Sequence, residues 1–588
     1  MILQALTSLY EALAQKGEIS KEGWSREKIS FALSIDEEGN LLRVTPLFDT
    51  VDGPKGKTRE VPQKMTVPAA VKRTSGAAAN FLWDNSSYIL GVSLKKGEDD
   101  AEREKRRNKD IKCFEACREL HHSMLDGMEY PAAKAVLNFL DKWEPQKAEE
   151  NNLVAQYAKE ILSGANMVFR FNGGYVHDDP QLASVWQKAN AKQKDNIGQC
   201  LVTGALDEIQ NTHPTIKGVQ GAQSSGAALV SFNASAFCSY NKEQNQNAPV
   251  GKYAAFAYTT ALNHLLADKS NVHRIGDAAV VCWAENADKQ YEDFAAEVFF
   301  GDNVDKSDEQ RLSALRTSLK LLADGLPCKE MDLDPDRKFY ILGLSPNAAR
   351  LAVRFFYCDS FGKIAGNIYK HHERLEIVRP SYDKFPILPL WKLLSATVNP
   401  NAKDKTPNAA MAGAVARAVF SGGRYPASLL ECTFLRIKAE RNITRERAAI
   451  IKAYYLRNPN EKCPKEVLTV SLNENSKNIP YTLGRLFSVY EEIQQAANPG
   501  INTTIKDRYF GSAAAMPATV FPILSNLAQK HLRKLSDAQR VYLDKKVMTL
   551  KSVLGEQYPA HMSLPEQGSF DLGYYHQTQA RYTKKEDK

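Results

Sequence analysis

The stretch YTLGRLFSVYEEIQQAANPGINTTIKDRYFGSAAAMPATVFPIL (481–524) decides the fold class of the last third of the chain. Its apolar residues recur at the three- and four-residue spacing that gives a helix one apolar face. The spacing predicts helices over 480–497 and 503–514, and it starts a further helix that extends over 518–535. This region of the sequence is therefore predicted to be all-helical.

The same helical spacing continues on both sides of this stretch. Further helices are predicted over 408–420, 427–441, 445–457 and 536–554. Thr444 and Ser536 stand where an N-cap is expected, since their hydroxyl oxygens can accept from the first free backbone N–H groups. The proline-containing region 380–407 is predicted to be a connection, and the last 25 or so residues, ending KKEDK, are predicted to be loose.

The first 400 residues mix strand and helix patterns. Apolar residues alternate on both sides of Glu-Glu-Gly-Asn in 31–44, which predicts a hairpin. The polar and basic segment 50–73 is predicted to be a long exposed loop, and 338–359 is predicted to form a strand, a turn and then a helix. Other predictions are helices over 2–16, 98–126 and 254–268, a strand over 278–285, a buried strand or short helix within 80–93 and an irregular segment over 213–253.

These patterns predict an α+β protein, with a mixed N-terminal body carrying long functional loops and an all-helical C-terminal bundle. Three regions are expected: the body at 1–400, a basic helical connection at 401–466 and the bundle at 467–588. A chain of 588 residues is long enough for about three domains.

The positive charge is concentrated in the last third of the chain. Residues 401–588 hold 28 Lys and Arg against 17 Asp and Glu, whereas the first 400 residues hold 49 against 52. The formal net charge of the whole chain is +8. A basic module joined to a near-neutral body is typical of a protein that binds a nucleic-acid backbone with one part.

Nine cysteines at irregular spacing indicate a reducing compartment rather than a disulfide framework. No stretch approaches the roughly 20 apolar residues that cross a bilayer. The sequence therefore predicts a cytoplasmic protein without a membrane partner.

The stretches that come closest to catalytic motifs each lack a residue that the motif requires. In GPKGKT (53–58), the first glycine of a phosphate-binding loop would have to stand at Val51. In GAQSSG (221–226), Ala227 stands where such a loop needs lysine, and neither serine has a glycine two residues before it, as a nucleophile elbow requires. The sequence predicts no catalytic residues and no cofactor.

One possible metal site is visible. Cys113, Cys117 and His121 share a helical face at i, i+4 and i+8. They could ligate a metal, although no fourth ligand can be named, or they could form a buried face in which cysteine serves as a small apolar residue. The second interpretation is favoured, and no metal is predicted.

Three segments suit nucleic acid. In VKRTSGAAANFLWDN (71–85), charge, hydroxyls and amides could contact phosphates and base edges. The residues predicted to read duplex DNA there are Lys72, Arg73, Thr74, Ser75, Asn80 and Asn85. The alternative is a basic turn leading into a core strand, with Asn80 as a cap.

The second segment is IKGVQGAQSSG (216–226), where glycines would let the backbone approach a groove closely. The predicted contacts are Lys217, Gln220, Gln223, Ser224 and Ser225. An ordinary glycine-rich turn is the alternative.

The third segment is RIKAERNITRERAAIIKAYYLRN (436–458), whose density of basic residues could follow a phosphate backbone. The alternative is a solvated helix face. Residues predicted to contact backbone are Arg436, Lys438, Arg441, Arg445, Arg447 and Lys452, together with Lys55, Lys57 and Arg59 in the first loop.

The first two segments also belong to runs that carry a resemblance. The runs are 71–91, 213–240, NAPVGKYAAFAYTTALNHLL (247–266), FYILGLSPNAARLAVRFF (339–356), SGGRYPASLL (421–430) and 481–524. Together they resemble the large subunit of the type I-C CRISPR surveillance complex, Cascade, nearly from end to end. Trp83 is the main departure, since a small residue or cysteine is expected there.

The resemblance implies a non-catalytic subunit that recognises the protospacer-adjacent motif in double-stranded DNA, promotes R-loop formation and helps to recruit a nuclease-helicase. The implied partners are the CRISPR RNA, the target duplex and its displaced strand, the backbone and handle-binding subunits of Cascade, and small subunits, which the C-terminal helical part resembles. In this family that part is also made separately from an internal start, for which Val467 or Val470 would fit.

Two rival hypotheses remain open from the sequence. A metal-dependent nuclease would use an unrecognised carboxylate set or the Cys113, Cys117 and His121 face. A pure scaffold would bind its partner subunits without touching DNA.

Overall fold

The computed structural model describes residues 1–52, 58–71, 73, 76–95, 97, 99–191, 196–232, 234–301 and 309–582. The chain packs into two compact units. The first unit contains residues 6–213 and 232–261, and the second contains residues 1–5, 214–231 and 262–588. The predicted region boundaries at residues 400 and 466 both fall inside the second unit.

The strands of the first unit form three sheets. They are β1 (Trp24–Ile29), β2 (Phe31–Ile35), β3 (Leu41–Pro46), β4 (Phe48–Asp52), β5 (Thr58–Pro68), β6 (Trp83–Asn85), β7 (Asn166–Phe171), β8 (Gly174–Tyr175), β9 (Ile197–Gln199) and β10 (Leu206–Glu208). One sheet has the order β3-β2-β7-β6 with β8 added to β7, the second has the order β1-β5-β4, and β9 pairs with β10. The predicted hairpin is confirmed as β2 and β3, which pair antiparallel.

The segment 50–73 differs from its prediction. It is not one long loop, because β5 extends over Thr58–Pro68 and pairs antiparallel with both β1 and β4. Val67 is buried in this strand and packs in an apolar cluster with Trp83. The alternation of polar and apolar side chains is weak along β5, so the strand pattern was hidden by its charged residues.

The chain up to residue 267 contains eight α-helices among its described residues. They are α1 (Ile2–Gln15), α2 (Ser86–Ile89), α3 (Asp100–Leu125), α4 (Pro131–Lys142), α5 (Asn152–Ala155), α6 (Ala158–Ile161), α7 (Pro180–Ala191) and α8 (Lys252–Ala267). The predicted helices at 2–16, 98–126 and 254–268 are confirmed. Helices α3 and α4 cover the five-stranded sheet with an apolar core that includes Phe114, Phe139 and Phe169.

In the part of the second unit that the structure describes, there is one antiparallel sheet of four strands in the order β11-β12-β13-β14. The strands are β11 (His273–Ile275), β12 (Ala278–Ala284), β13 (Lys338–Asn347) and β14 (Arg350–Ser360). The prediction of a helix after the turn in 338–359 was wrong. Residues 350–360 form a strand because their apolar side chains pack on both faces of the sheet, a pattern that short apolar runs share with helices.

Among the described residues of the second unit, the regular elements beyond this sheet are helices, which confirms the α+β class and the helical C-terminal part. Its helices are α9 (Lys289–Ala295), α10 (Glu309–Ala323), α11 (Phe361–Leu375), α12 (Leu390–Ser395), α13 (Ala409–Ser421), α14 (Ala427–Glu440), α15 (Arg445–Arg457), α16 (Ile479–Ala497), α17 (Ile505–Ala515), α18 (Pro517–Leu532), α19 (Asp537–Lys551) and α20 (Leu564–Ala580). The predicted caps are also confirmed, since Thr444 accepts from Arg447 N and Ser536 from Gln539 N.

Helix α20 corrects the expectation of a loose C-terminus. Eleven consecutive residues, 567–577, are buried in it. It packs against α16 so closely that a Cβ at Gly573 would stand 2.1 Å from Tyr481 O, and a Cβ at Gly484 would stand 1.9 Å from Phe570 O. The two glycines therefore allow direct contact between the two helix backbones.

Among the described residues, no helix is both long enough and apolar enough to cross a membrane.

Candidate nucleic-acid interface

The segment 216–227, here called the Gly/Gln loop, is closed at its base by a backbone bridge. Ile216 and Ala227 exchange two hydrogen bonds, of 2.8 and 2.9 Å. The Asn263 side chain of α8 accepts from Lys217 N at 2.8 Å and donates to Thr215 O at 3.0 Å. The loop is thus fixed to a helix and to itself at the point where it leaves the body of its unit.

Two glycines are required by the course of this loop. Gly226 has a φ of +102°, and a Cβ there would stand 2.7 Å from the Thr215 side chain. Gly218 has a φ of +93°, and a Cβ there would stand 3.1 Å from Leu266 O. Residues other than glycine rarely adopt this backbone conformation. The glycines therefore determine the shape of the loop. The sequence pattern alone could not distinguish this role from a close approach to a DNA groove.

The side chains predicted to read DNA from this loop face solvent. All five of them are exposed: Lys217, Gln220, Gln223, Ser224 and Ser225. Only Gln220 among these five uses a side-chain atom in a hydrogen bond that the structure records, with its Oε1 accepting from Arg274 Nη1 at 2.7 Å. The loop presents a row of polar groups on a fixed base, which is suited to hydrogen bonds with another molecule.

In the 71–85 segment, Arg73 is folded back onto the protein. Its guanidinium pairs with the Asp84 carboxylate, donates from Nε to Ala78 O at 2.8 Å and lies 4.0 Å from the centre of the Tyr88 ring. Asp84 is 1% exposed and also accepts from Asn80 N and Asn85 N, at 2.9 and 2.8 Å. Burial raises the pKa of Asp84, and the Arg73 guanidinium and the backbone N–H groups oppose that rise. Arg73 therefore anchors the segment.

The two asparagines of this segment are also engaged internally. Asn80 is 3% exposed, and its Oδ1 accepts from Val71 N at 2.9 Å. Asn85 caps α2 by accepting from Ser87 N at 3.0 Å. The expectation that Asn80 offers its amide to a base edge is corrected, because that amide closes the segment 71–80 instead.

The buried face of α3 does not have the chemistry of a metal site. His121 Nδ1 donates to Cys117 O at 2.7 Å, and its Nε2 accepts from Leu82 N at 2.9 Å, so both ring nitrogens are used. Burial lowers the pKa of His121 to about 4, which keeps the ring neutral. Leu82, whose N–H group bonds to His121, has a φ of +63°, which is a strained backbone conformation for a branched residue. No cluster of three or more potential metal ligands occurs within the described ranges.

The basic segment 436–458 divides into an exposed part and a buried part. Lys438 and Arg441 are exposed, and Arg436 is partly exposed beside Glu440. Arg445, Arg447 and Lys452 are 7%, 3% and 3% exposed.

The three buried residues correct the expectation that each of them contacts a phosphate backbone. Arg445 bonds to Asp383 at 2.9 Å and to backbone oxygens nearby, and Arg447 bonds to Glu440 at 2.6 Å. Lys452 donates to Arg374 O at 3.0 Å, at the C-terminal end of α11. Burial lowers the pKa of Lys452 to about 8. These cations connect α15 to its neighbours and are not available to a phosphate backbone.

Five predicted contact residues lie outside the described residues, namely Lys55, Lys57, Lys72, Thr74 and Ser75. Arg59 is exposed on β5. Sequence reasoning missed Arg274 and Asp84, which hold Gln220 and Arg73. Asp84 stands alone in the apolar run FLWDN, and a single charge within such a run was the available signal. Arg274 precedes the apolar strand pattern of 278–285 and has Asp277 beside it, so it had no comparable signal.

The chain was compared with known families and with curated proteins. A family model described as CRISPR-associated protein (Cas_Csd1) matches residues 6–582, a range that includes the Gly/Gln loop, the segment 71–85 and the basic segment. No curated protein matches the chain. Since the matching family is that of the type I-C large subunits, the resemblance noted in the sequence is confirmed. The chain belongs to the Cas_Csd1 family of CRISPR-associated proteins.

Proposed function

We propose that this chain is the non-catalytic large subunit that recognises the protospacer-adjacent motif in double-stranded DNA for a type I-C surveillance complex. The observation that carries the proposal is the Gly/Gln loop, whose five polar side chains are exposed on a base fixed by the Ile216–Ala227 bridge and by Asn263. Fixed hydrogen-bonding groups can distinguish base edges, because a mismatched edge leaves a polar group unpaired. Membership of the Cas_Csd1 family supports this role.

The segment 71–85 contributes to the same task through its shape. Arg73 pairs with Asp84 and lies over Tyr88 of α2, so residues 76–85 can meet the duplex in a defined conformation without first becoming ordered. Binding then costs less conformational entropy. In this proposal, the positive charges of Lys72 and Arg59 attract the phosphates of the duplex.

The exposed part of the basic segment supports the displaced strand. Arg436, Lys438 and Arg441 lie at the end of α14, where they can neutralise phosphates. In the same proposal the chain contacts the CRISPR RNA and the backbone, handle-binding and small subunits, promotes R-loop formation and helps to recruit the separate nuclease-helicase. Base pairing reads the target sequence, and the protein reads only the short duplex motif.

Alanine at Gln220 or Gln223 should reduce the preference of the assembled complex for motif-bearing over scrambled duplex by about tenfold, because each removes a base-edge contact. Equilibrium binding to the two duplexes measures the preference. Alanine at Lys72 should lower affinity for both duplexes. Gln529→Ala, an exposed glutamine on α18, is the matched control. Unchanged preference in both loop variants, together with unchanged binding in the Lys72 variant, would contradict the site assignment.

Removing the three basic residues at the end of α14 should change the salt dependence of binding. The triple variant Arg436→Gln, Lys438→Gln, Arg441→Gln should reduce the slope of log K against log salt by about 2, since each phosphate contact to a single strand contributes roughly 0.7. The measurement is target binding by the assembled complex at several salt concentrations.

The control for this prediction is Lys289→Ala, which removes an exposed cation elsewhere in the second unit. Its slope should stay close to that of the unmodified complex. A triple variant that alters motif preference while keeping the slope would contradict a backbone role.

A further inference from the structure

We infer that Arg274 is a positioning residue that fixes Gln220 as a hydrogen-bond donor, so that Gln220 disfavours base pairs that present a donor in the minor groove. The inference rests on the proposed function and adds the chemistry by which one residue of the Gly/Gln loop discriminates. Arg274 lies outside the loop, on β11, and is exposed.

The orientation of the Gln220 amide follows from the chemistry of its neighbour. Arg274 Nη1 stands 2.7 Å from the amide of Gln220. A guanidinium carries only donors, so the atom of the amide that faces it has to be the oxygen. The oxygen is thereby engaged, and the Nε2 group with its two N–H donors is directed elsewhere. Among the described residues, no protein acceptor is recorded for Gln220 Nε2.

Arg274 can impose this orientation because it is held independently of the loop. Its Nε donates to Gly276 O at 3.2 Å, within the tight turn between β11 and β12. Gly276 has a φ of +63°, and a Cβ there would stand 2.8 Å from the Ala412 side chain, so α13 packs directly on the turn. The next residue, Asp277, bonds to Arg354 of β14 at 2.6 Å. The Arg274 guanidinium is thus held by a turn of the four-stranded sheet and not by the Gly/Gln loop.

The loop itself is supported at the same place. Gly221, the residue after Gln220, approaches Pro346 at the end of β13, where a Cβ would stand 3.2 Å from the proline ring. Ala228 and Leu351 are joined by a backbone hydrogen bond of 2.9 Å. The backbone next to Gln220 therefore packs against the turn between β13 and β14, and its side chain bonds to Arg274 beside the turn between β11 and β12. These two contacts limit the orientations that the Gln220 amide can adopt.

A donor held in one orientation can distinguish A·T and T·A pairs from G·C pairs in the minor groove. In the minor groove, A·T and T·A pairs present only the acceptors A N3 and T O2, whereas a G·C pair adds the N2 amino donor of guanine. An Nε2 donor can bond to the acceptors but meets another donor at guanine. A freely turning amide would accept from that amino group by presenting its oxygen. Arg274 removes this option, so the expected specificity is against G·C at the position that Gln220 contacts.

The test measures binding of the assembled complex to motif-bearing duplex and to duplexes with G·C introduced at each motif position in turn. Arg274→Ala should reduce discrimination against G·C at one position by about tenfold while changing the other positions little. Gln220→Glu keeps an oxygen for Arg274 but has no donor, so it should lose the same discrimination even though the contact with Arg274 is retained. Arg274→Lys, which can still donate one hydrogen bond, should retain part of it.

A double-mutant cycle separates positioning from a direct contact. If Arg274 acts through Gln220, adding Arg274→Ala to Gln220→Ala should cause no further loss of discrimination. Additive losses, or a smaller salt slope with unchanged discrimination in Arg274→Ala, would overturn the inference and make Arg274 a phosphate contact. If Gln220→Ala itself leaves discrimination intact at every position, the proposed role of the loop fails instead. Thermal melting of each variant checks that the fold is retained.

Discussion

Replacing Gly573 by alanine should lower the local free energy of unfolding of helices α16 and α20 by about 2 kcal/mol. The added methyl would stand 2.1 Å from Tyr481 O, a backbone atom that cannot rotate away. Forcing the helices apart costs about 3 kcal/mol, and the higher helix propensity of alanine offsets about 1 kcal/mol of that. Gly484→Ala should act in the same direction, because its methyl would stand 1.9 Å from Phe570 O.

Gly511→Ala is a matched control of opposite sign. Gly511 lies in helix α17, and apart from its chain neighbours and the backbone of its own helix no atom stands within 4 Å of a Cβ placed there. Alanine at this position should stabilise the helix by about 0.5–1 kcal/mol. Hydrogen exchange of the α16 and α20 amides measures the local change directly, which matters because a chain of two units does not have to unfold in one step. Stabilisation by all three substitutions would contradict the packing of α20 against α16.

Removing the carboxylate of Asp84 should destabilise the segment 71–85 by about 3 kcal/mol or more. Asp84→Ala removes the carboxylate that pairs with Arg73 and leaves the N–H groups of Asn80 and Asn85 without their acceptor, and each donor left unsatisfied costs about 1–3 kcal/mol. Because the segment would lose its defined conformation, affinity for motif-bearing duplex should also fall. Hydrogen exchange over residues 80–89 and duplex binding by the assembled complex measure the two effects.

Arg73→Ala distinguishes the anchor from a simple charge. It leaves Asp84 buried with two backbone donors, so it should destabilise the segment less than Asp84→Ala does. Combined in one chain, the two substitutions should cost clearly less than the sum of their separate effects, because both remove the same pair. Independent, additive effects would show that Arg73 and Asp84 do not act together, and the anchoring role would have to be abandoned.

The helices of the last third could be predicted because periodicity, caps and loops agree there. Helix α15 shows this, since Thr444 caps it and its predicted bounds at 445–457 match the structure. Helix α20 was missed because it is buried on every side. Gly568, Ser569, Asp571 and Gly573 stand inside it, so it has no polar face and no apolar stripe. The capping box of Ser563 and Glu566 and the proline in the first turn, Pro565, were the local signals of its start.

Strand β14 was mistaken for a helix for a related reason. The run RLAVRFFYCD (350–359) is apolar on both faces, so its spacing fits either element. Pairing with β13, from Lys338 opposite Ser360 to Asn347 opposite Arg350, determines the strand. That pairing depends on tertiary structure, so the local sequence of ten residues cannot predict it.

The candidate site shows the same limit at the level of side chains. Glycine spacing was enough to predict an irregular loop with polar side chains at 216–226. The sequence did not reveal that Arg445 and Lys452 point inward, because basic residues are usually solvated. They lie seven positions apart, on the face of α15 that also buries Ala448 and Tyr455. Charge density therefore suggested a longer basic surface than the exposed residues Lys438 and Arg441 provide.

The central claim is that the chain reads a short duplex motif through the Gly/Gln loop. The most direct measurement is the ratio of the Kd for motif-bearing duplex to the Kd for scrambled duplex, for the assembled complex with Gln220 and Gln223 both changed to alanine. The account predicts that this ratio approaches 1 while binding to scrambled duplex is retained, because phosphate contacts do not depend on sequence. A ratio equal to that of the unmodified complex would contradict the claim.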